Sequence, residues 1–244
     1  MDDSTESRLP DRAAEWFVPK FGPPKFRSFI GLLFLPYTGM VLSYVVIGSL
    51  AVETPAWARV LALVLIYFLG LGVAAHALDA LGSKAAKPWG RAFSRRQLWG
   101  LAAASLAAAY TIAGYYMIRY VPWLLLLAVL EGFFVFAYNL EWFGGKFHTD
   151  RWFVFSWGFL PVLAGHVMQT NSISAAAVVL ASAMALFSLI EIKSSRPYKD
   201  LKKNRHSLTD AERQLMQRYE TILKSVSLGV ILLAGGLLIW RLAE

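Results

Sequence analysis

Seven apolar runs dominate the chain, and they constrain its fold more than any other feature. They fall at Ser28–Val52, Ala56–Leu81, Leu98–Ile118, Val121–Leu140, Trp152–Met168, Ile173–Ile192 and Ser225–Leu242. A helix rises about 1.5 Å per residue and a bilayer core is about 30 Å thick, so all but the fifth run reach across or nearly so. In hydrocarbon every backbone amide and carbonyl needs an internal partner, which leaves helices as the economical solution. The expectation is an all-α, polytopic transmembrane bundle of about seven spans over residues 28–242, preceded by a tail over 1–27. Pro36 and Pro161 fall inside the first and fifth runs and predict kinks there.

A composition of 57% hydrophobic residues, with nine Trp, ten Tyr and sixteen Phe, agrees with a multi-pass membrane protein. The formal charge of +8 would suggest nucleic acid in a soluble protein. Here the cations gather in short segments between apolar runs, which marks topology and excludes nucleic acid as the expected partner. Arg8, Arg12, Lys20, Lys25 and Arg27 precede the first run, Lys84 to Arg96 follow the second, Lys146 and Arg151 follow the fourth, and nine more lie between Lys193 and Lys224. The opposite side offers Arg59, Arg119 and Arg241. The positive-inside rule therefore predicts a cytoplasmic N-terminus and a C-terminus on the other side. The first residues lack the basic and short apolar regions of a signal peptide, and Trp16, Phe17, Phe21 and Phe26 suit an interfacial segment. The absence of cysteine excludes disulfides, thiolate metal sites and a cysteine nucleophile.

Polar residues concentrate in three places on the predicted cytoplasmic side. In Gly72–Gln97, His76, Asp79 and Ser83 share one helical face at i, i+3 and i+7, and Lys84, Lys87 and Arg91 follow. That set suits an anion held directly or through a divalent metal, and equally a helix end meeting headgroups with a snorkelling basic loop. In Tyr138–Gly158, Asn139, Glu141, Lys146, His148 and Asp150 crowd a turn marked by Gly144 and Gly145. They read as metal or anion ligands, or as a loop anchored by its aromatic neighbours. The third cluster carries Glu191, Lys193, Arg196, Lys199 and Asp200. Within the spans, Glu131 must be neutral, paired or facing a wet cavity, and His166 reads as an interfacial residue. Thr209-x-x-Glu212 is a capping-box pattern that predicts a helix from about Asp210 into the last span, over the mouth or on the bundle surface. An oily interior with a charged rim suits an amphiphile with an anionic head.

The order of these features resembles the UbiA superfamily of intramembrane prenyltransferases over roughly Arg27 to Asp200. Arg27, Leu35-Pro36 and Gly39 are similar to that family's first helix. AHALDALGS stands where its aspartate-rich motif ends the second helix, with Asp79 on the middle aspartate and Ala75, His76 and Ser83 in place of Asn, Asp and Asp. KPWGRAFSRRQ is similar to the basic loop that follows, and Tyr138 and Phe155 to Phe159 to the fourth and fifth helices. The resemblance implies a Mg²⁺-assisted transfer of an isoprenoid from a prenyl diphosphate to a lipid-soluble acceptor. It places Asp79 with Glu191 and Asp200 as metal ligands, His76 beside them, and Lys84, Lys87, Arg91, Lys193 and Arg196 on the diphosphate. Departures are evident: the second aspartate motif is reduced to Glu191 and Asp200, and the family usually has nine helices. They keep a second expectation open, a non-catalytic lipid- or quinone-binding protein or a subunit of a membrane complex.

Overall fold

The computed structural model describes residues 15–82, 93–204 and 207–244, all of whose regular structure is helical. α1 (Pro24–Leu33) and α2 (Leu35–Leu50) meet at Phe34, whose φ of 43° breaks the chain with a 44° bend. Pro36 lies in the first turn of α2, where its missing amide proton is harmless. The kink expected from that proline is therefore present, placed two residues ahead of it. α3 (Trp57–Tyr67) passes through a π-helical stretch, Phe68–Ala75, into α4 (His76–Gly82). α5 (Arg95–Arg119) opens on a Ser94/Gln97 capping box. α6 (Leu124–Asn139) is followed by a tight segment, α7 (Trp142–Gly145), in which Phe143, Gly144 and Gly145 have positive φ, as does Glu141 just before it. α8 (Asp150–Val154), a π-helical turn at Phe155–Phe159 and α9 (Leu160–Thr170) are continuous, with Pro161 just after the π turn. α10 (Ala175–Lys203) and α11 (Asp210–Ala243) complete the chain, and Thr209 and Glu212 form the capping box predicted for α11.

Among the described residues four helices are long and apolar enough to cross a membrane, or five if α1 and α2 count as one bent crossing. Fewer single helices reach that length than the seven apolar runs of the sequence. α6 is apolar but has only 16 residues, about 24 Å of helix. The run from Asp150 to Thr170 changes between α and π bonding around its proline.

The connections show how the helices alternate. The Ala56 amide donates to Gln169 Oε1 at 2.8 Å, Arg59 to the carbonyls of Met168 and Gln169, and the Trp123 amide to Asn171 Oδ1 at 3.0 Å. Arg241 donates to the carbonyls of Leu50 and Val52. The three short connections and the end of α11 thus meet at one end of the bundle. The residues of the polar clusters that come together do so at the other.

α2 runs through the core, with Tyr44 and Val45 fully buried, and packs on α9 and α11. Gly48 and Gly165 let α2 and α9 touch backbone to backbone, since a Cβ on Gly48 would run into the Val162 carbonyl and one on Gly165 into that of Val45. We expect Gly48→Ala to destabilise the detergent-solubilised protein by about 1–3 kcal/mol through overpacking. Gly100→Ala on α5, where a Cβ meets open space, should leave thermal unfolding unchanged or raise its midpoint.

Candidate functional site

α4, α6, α8 and α10 bring their polar ends together at the end of the bundle away from the short connections. The approach begins at Gly82, where a Cβ would strike the Asn139 carbonyl, so the end of α4 can lie on the end of α6. Tyr138, on the last turn of α6, is buried, accepts a hydrogen bond from Arg196 and lies in the field of both Asp79 and Asp150. Asp150 opens α8 and is the hub of the charges, with Lys193 Nζ at 2.8 Å and Arg196 Nε at 3.0 Å. Its side chain is 18% exposed, whereas Lys193 and Arg196 are 66% and 44% exposed, so the acid is sheltered and the cations face outward. His148 Nδ1 lies 3.0 Å from the Tyr138 carbonyl, with its ring 4.4 Å from the phenol ring.

Aromatic rings form one wall of this region. Phe34 lies 4.4 Å from Tyr37, Tyr37 5.8 Å from Phe153, and Phe153 stacks on Trp157 at 5.8 Å. The His76 ring sits between Phe34 and Trp157, with Nε2 3.4 Å from Thr38 Oγ1. Lys199 Nζ stands 5.5 Å from the centre of Phe34 and 5.7 Å from that of Tyr37, within cation–π range. Glu191, buried one helical turn below Ser194 and Ser195, faces the Tyr37 hydroxyl and Lys199.

The remaining predicted residues are dispersed. Asp200 is exposed and bonded to Lys203 at 2.9 Å. Asn139 is buried and donates to the Val135 carbonyl at 2.8 Å, which completes the end of α6. Glu141 occupies a left-handed turn position and Lys146 is exposed. Lys84, Lys87, Arg91 and Ser83 lie outside the described residues. Glu131 belongs to a different part of the bundle, where it accepts from the Tyr67 hydroxyl at 2.9 Å. His166 is buried, 7% exposed, near the end of α9.

A Mg²⁺ ion prefers several oxygen ligands. Among the described residues no three of His, Asp and Glu come together in a way that could hold a metal. With Asp200 turned out to Lys203, the ligand trio of Asp79, Glu191 and Asp200 is not assembled. The residues present do not fit a magnesium cage of that composition.

The N-terminal segment closes part of the same end. Glu15 pairs with Lys202 at 2.7 Å, Phe17 packs on Phe34 at 5.0 Å, and Lys224 lies over Trp16 at 5.5 Å. Arg27 fixes the turn by donating to the Pro19 carbonyl at 2.9 Å. Beneath it is a small cavity of about 30 Å³ lined by Phe17, Phe34, Tyr37, Glu191 and Lys199, among others. Trp16 and Phe17, expected at the interface, are thus on the bundle, while Phe21 is 75% exposed. Sequence reasoning missed Tyr37, Phe153, Trp157, Glu15 and Lys202. Only the break at Phe34–Pro36, which turns Tyr37 inward, left a local signal.

Comparison of the chain with protein-family models, curated proteins and solved structures finds no match.

Because Lys193 and Arg196 are well exposed, their pairing with Asp150 is screened by solvent. A double-mutant cycle on Asp150 and Arg196 should give a coupling of about 1 kcal/mol or less, falling as salt is raised. Glu15→Gln should speed proteolysis between residues 15 and 24 while leaving the rest of the bundle folded, since the pair it breaks, though sheltered at 10% and 22% exposure, ties down this segment alone.

Proposed function

We propose that this protein is an intramembrane prenyltransferase of the UbiA type, which moves an isoprenoid chain from a prenyl diphosphate to a lipid-soluble acceptor. The observation that carries the proposal is the joining of Arg196, Lys193 and Lys199 to an aromatic wall of Phe34, Tyr37, Phe153 and Trp157 at one end of an apolar bundle. The helices supply an oily interior, the cations an anionic-head site, and the rings a surface that favours positive charge. In this reading the seven helical runs all cross the bilayer, α6 and the proline-containing run included. The alternation of their ends and the positive-inside bias support a cytoplasmic N-terminus and cytoplasmic site.

In the reaction the bond between the allylic carbon and the bridging oxygen breaks, and diphosphate leaves with the electron pair. Arg196 and Lys193 take up the charge that develops on the leaving group, preoriented by Asp150. The aromatic wall faces the allylic cation and excludes water until the acceptor attacks and loses a proton. Tyr138, hydrogen-bonded to Arg196, is a positioning residue. No step is assigned to a metal.

A second reading, a non-catalytic binder of the same anionic lipids, is favoured by one observation, the outward-facing Asp200 paired with Lys203. Binding of geranylgeranyl diphosphate to the full chain in lipid nanodiscs, followed by chromatography of lipid products, separates the two. The enzyme reading expects binding weakened about tenfold or more in Arg196→Ala, from loss of a charge-assisted bond, together with prenylated product. Binding without product selects the binder. Absence of binding, or binding indifferent to Arg196, overturns both.

A further inference from the structure

A separate cavity of about 70 Å³ lies halfway along the bundle, between α5, α6 and the α3 helix with its π-helical continuation. Leu63, Leu71, Ala109, Leu127 and Val135 make its walls apolar, and among the described residues no Lys, Arg or His lines it. Of those residues Glu131 alone brings a carboxyl group, as the eighth of the sixteen residues of α6. Oε1 of that carboxyl accepts from the Tyr67 hydroxyl at 2.9 Å, while Oε2 is buried with no hydrogen-bond partner.

Access is from the side. Tyr110 on α5 lines the cavity, is 41% exposed on the outer face of the bundle, and donates across it to the Ala128 carbonyl at 2.8 Å. Gly132 makes that crossing possible, because the Tyr110 hydroxyl occupies the place of a Cβ on residue 132. Tyr110 is therefore a bar between the cavity and the hydrocarbon outside.

Hydrogen-bond geometry selects the guest. A carboxylate without a cation is strongly disfavoured in hydrocarbon, so Glu131 is carried as the neutral acid. Oε1 is already an acceptor, which leaves the acid proton on Oε2 as a buried donor directed at apolar space. Such a donor calls for an acceptor, and none meets it, with the Tyr67 hydroxyl engaged at Oε1 and the Tyr110 hydroxyl at the Ala128 carbonyl. Ester carbonyls of phospholipids sit near the headgroups, far from the middle of α6, whereas quinones reside in the hydrocarbon itself. We propose that this cavity binds the carbonyl edge of a lipid-soluble quinone, with Glu131 as the hydrogen-bond donor and Tyr110 as the bar across its entrance. The site is distinct from the polar end of the bundle and does not rest on the prenyl-transfer reading.

The test uses the full chain in nanodiscs and a short-chain benzoquinone carrying ¹³C at its carbonyls, with empty nanodiscs subtracted. Equilibrium binding should be saturable, and the carbonyl stretch of the bound quinone should move to lower frequency than in lipid alone. Glu131→Gln keeps a donor and should hold affinity within about threefold, whereas Glu131→Leu should weaken it about tenfold and abolish the frequency shift. An unshifted carbonyl in the wild type overturns the proposal whether or not the variants fold. Equal loss in both variants also overturns it, by showing a guest that needs the carboxylate charge, and unchanged binding in Glu131→Leu overturns it by leaving the cavity to water.

Discussion

Hydrocarbon accepts no hydrogen bonds, and much of the irregular structure here answers to that condition. At Phe68–Ala75 and Phe155–Phe159 the backbone widens to π bonding and does not open, whereas at Phe34 a left-handed residue breaks the helix. Where helices stop, side chains take over: Arg59 and Arg241 reach carbonyls at the ends of neighbouring helices, and Gln169 and Asn171 receive the first free amides. Close contact between α2 and α9 follows from the same condition. Without a hydrophobic drive between helices, association depends on how nearly backbones approach, and Gly48 and Gly165 set that distance.

Apolar runs bounded by charged segments announced the helices because hydropathy and length are local properties. The α11 start was legible for a similar reason, since a capping box involves only Thr209 and Glu212. Spans of full length were not. The sequence shows that Val121–Leu140 is apolar, but where α6 begins depends on Trp123 bonding Asn171, a contact 48 residues away. Nor does it show that the run holding Pro161 takes up the lost bond through a π turn.

The candidate site was legible in part. Clustering along the chain pointed to Asp150, Lys193 and Arg196, which do meet, because α8 and α10 pack side by side at their charged ends. It pointed equally to Asp200, which lies about two and a half helical turns after the buried Glu191 and so on the opposite, outer face. The aromatic wall escaped notice. Rings are scattered through the whole sequence, and only packing distinguishes Phe153 and Trp157 from those exposed outside the bundle, such as Phe143 at 68%.

The N-terminal segment joins the chain's beginning to its end. Glu15 and Trp16 are held by Lys202 and Lys224, residues from the last two helices. During synthesis these early residues emerge with nothing to bind, and their partners appear only after α10 and the first turns of α11 have been made. Closure of this corner is therefore completed late in assembly, and a chain stalled before α11 would hold the segment through Glu15 and Phe17 without the cation over Trp16.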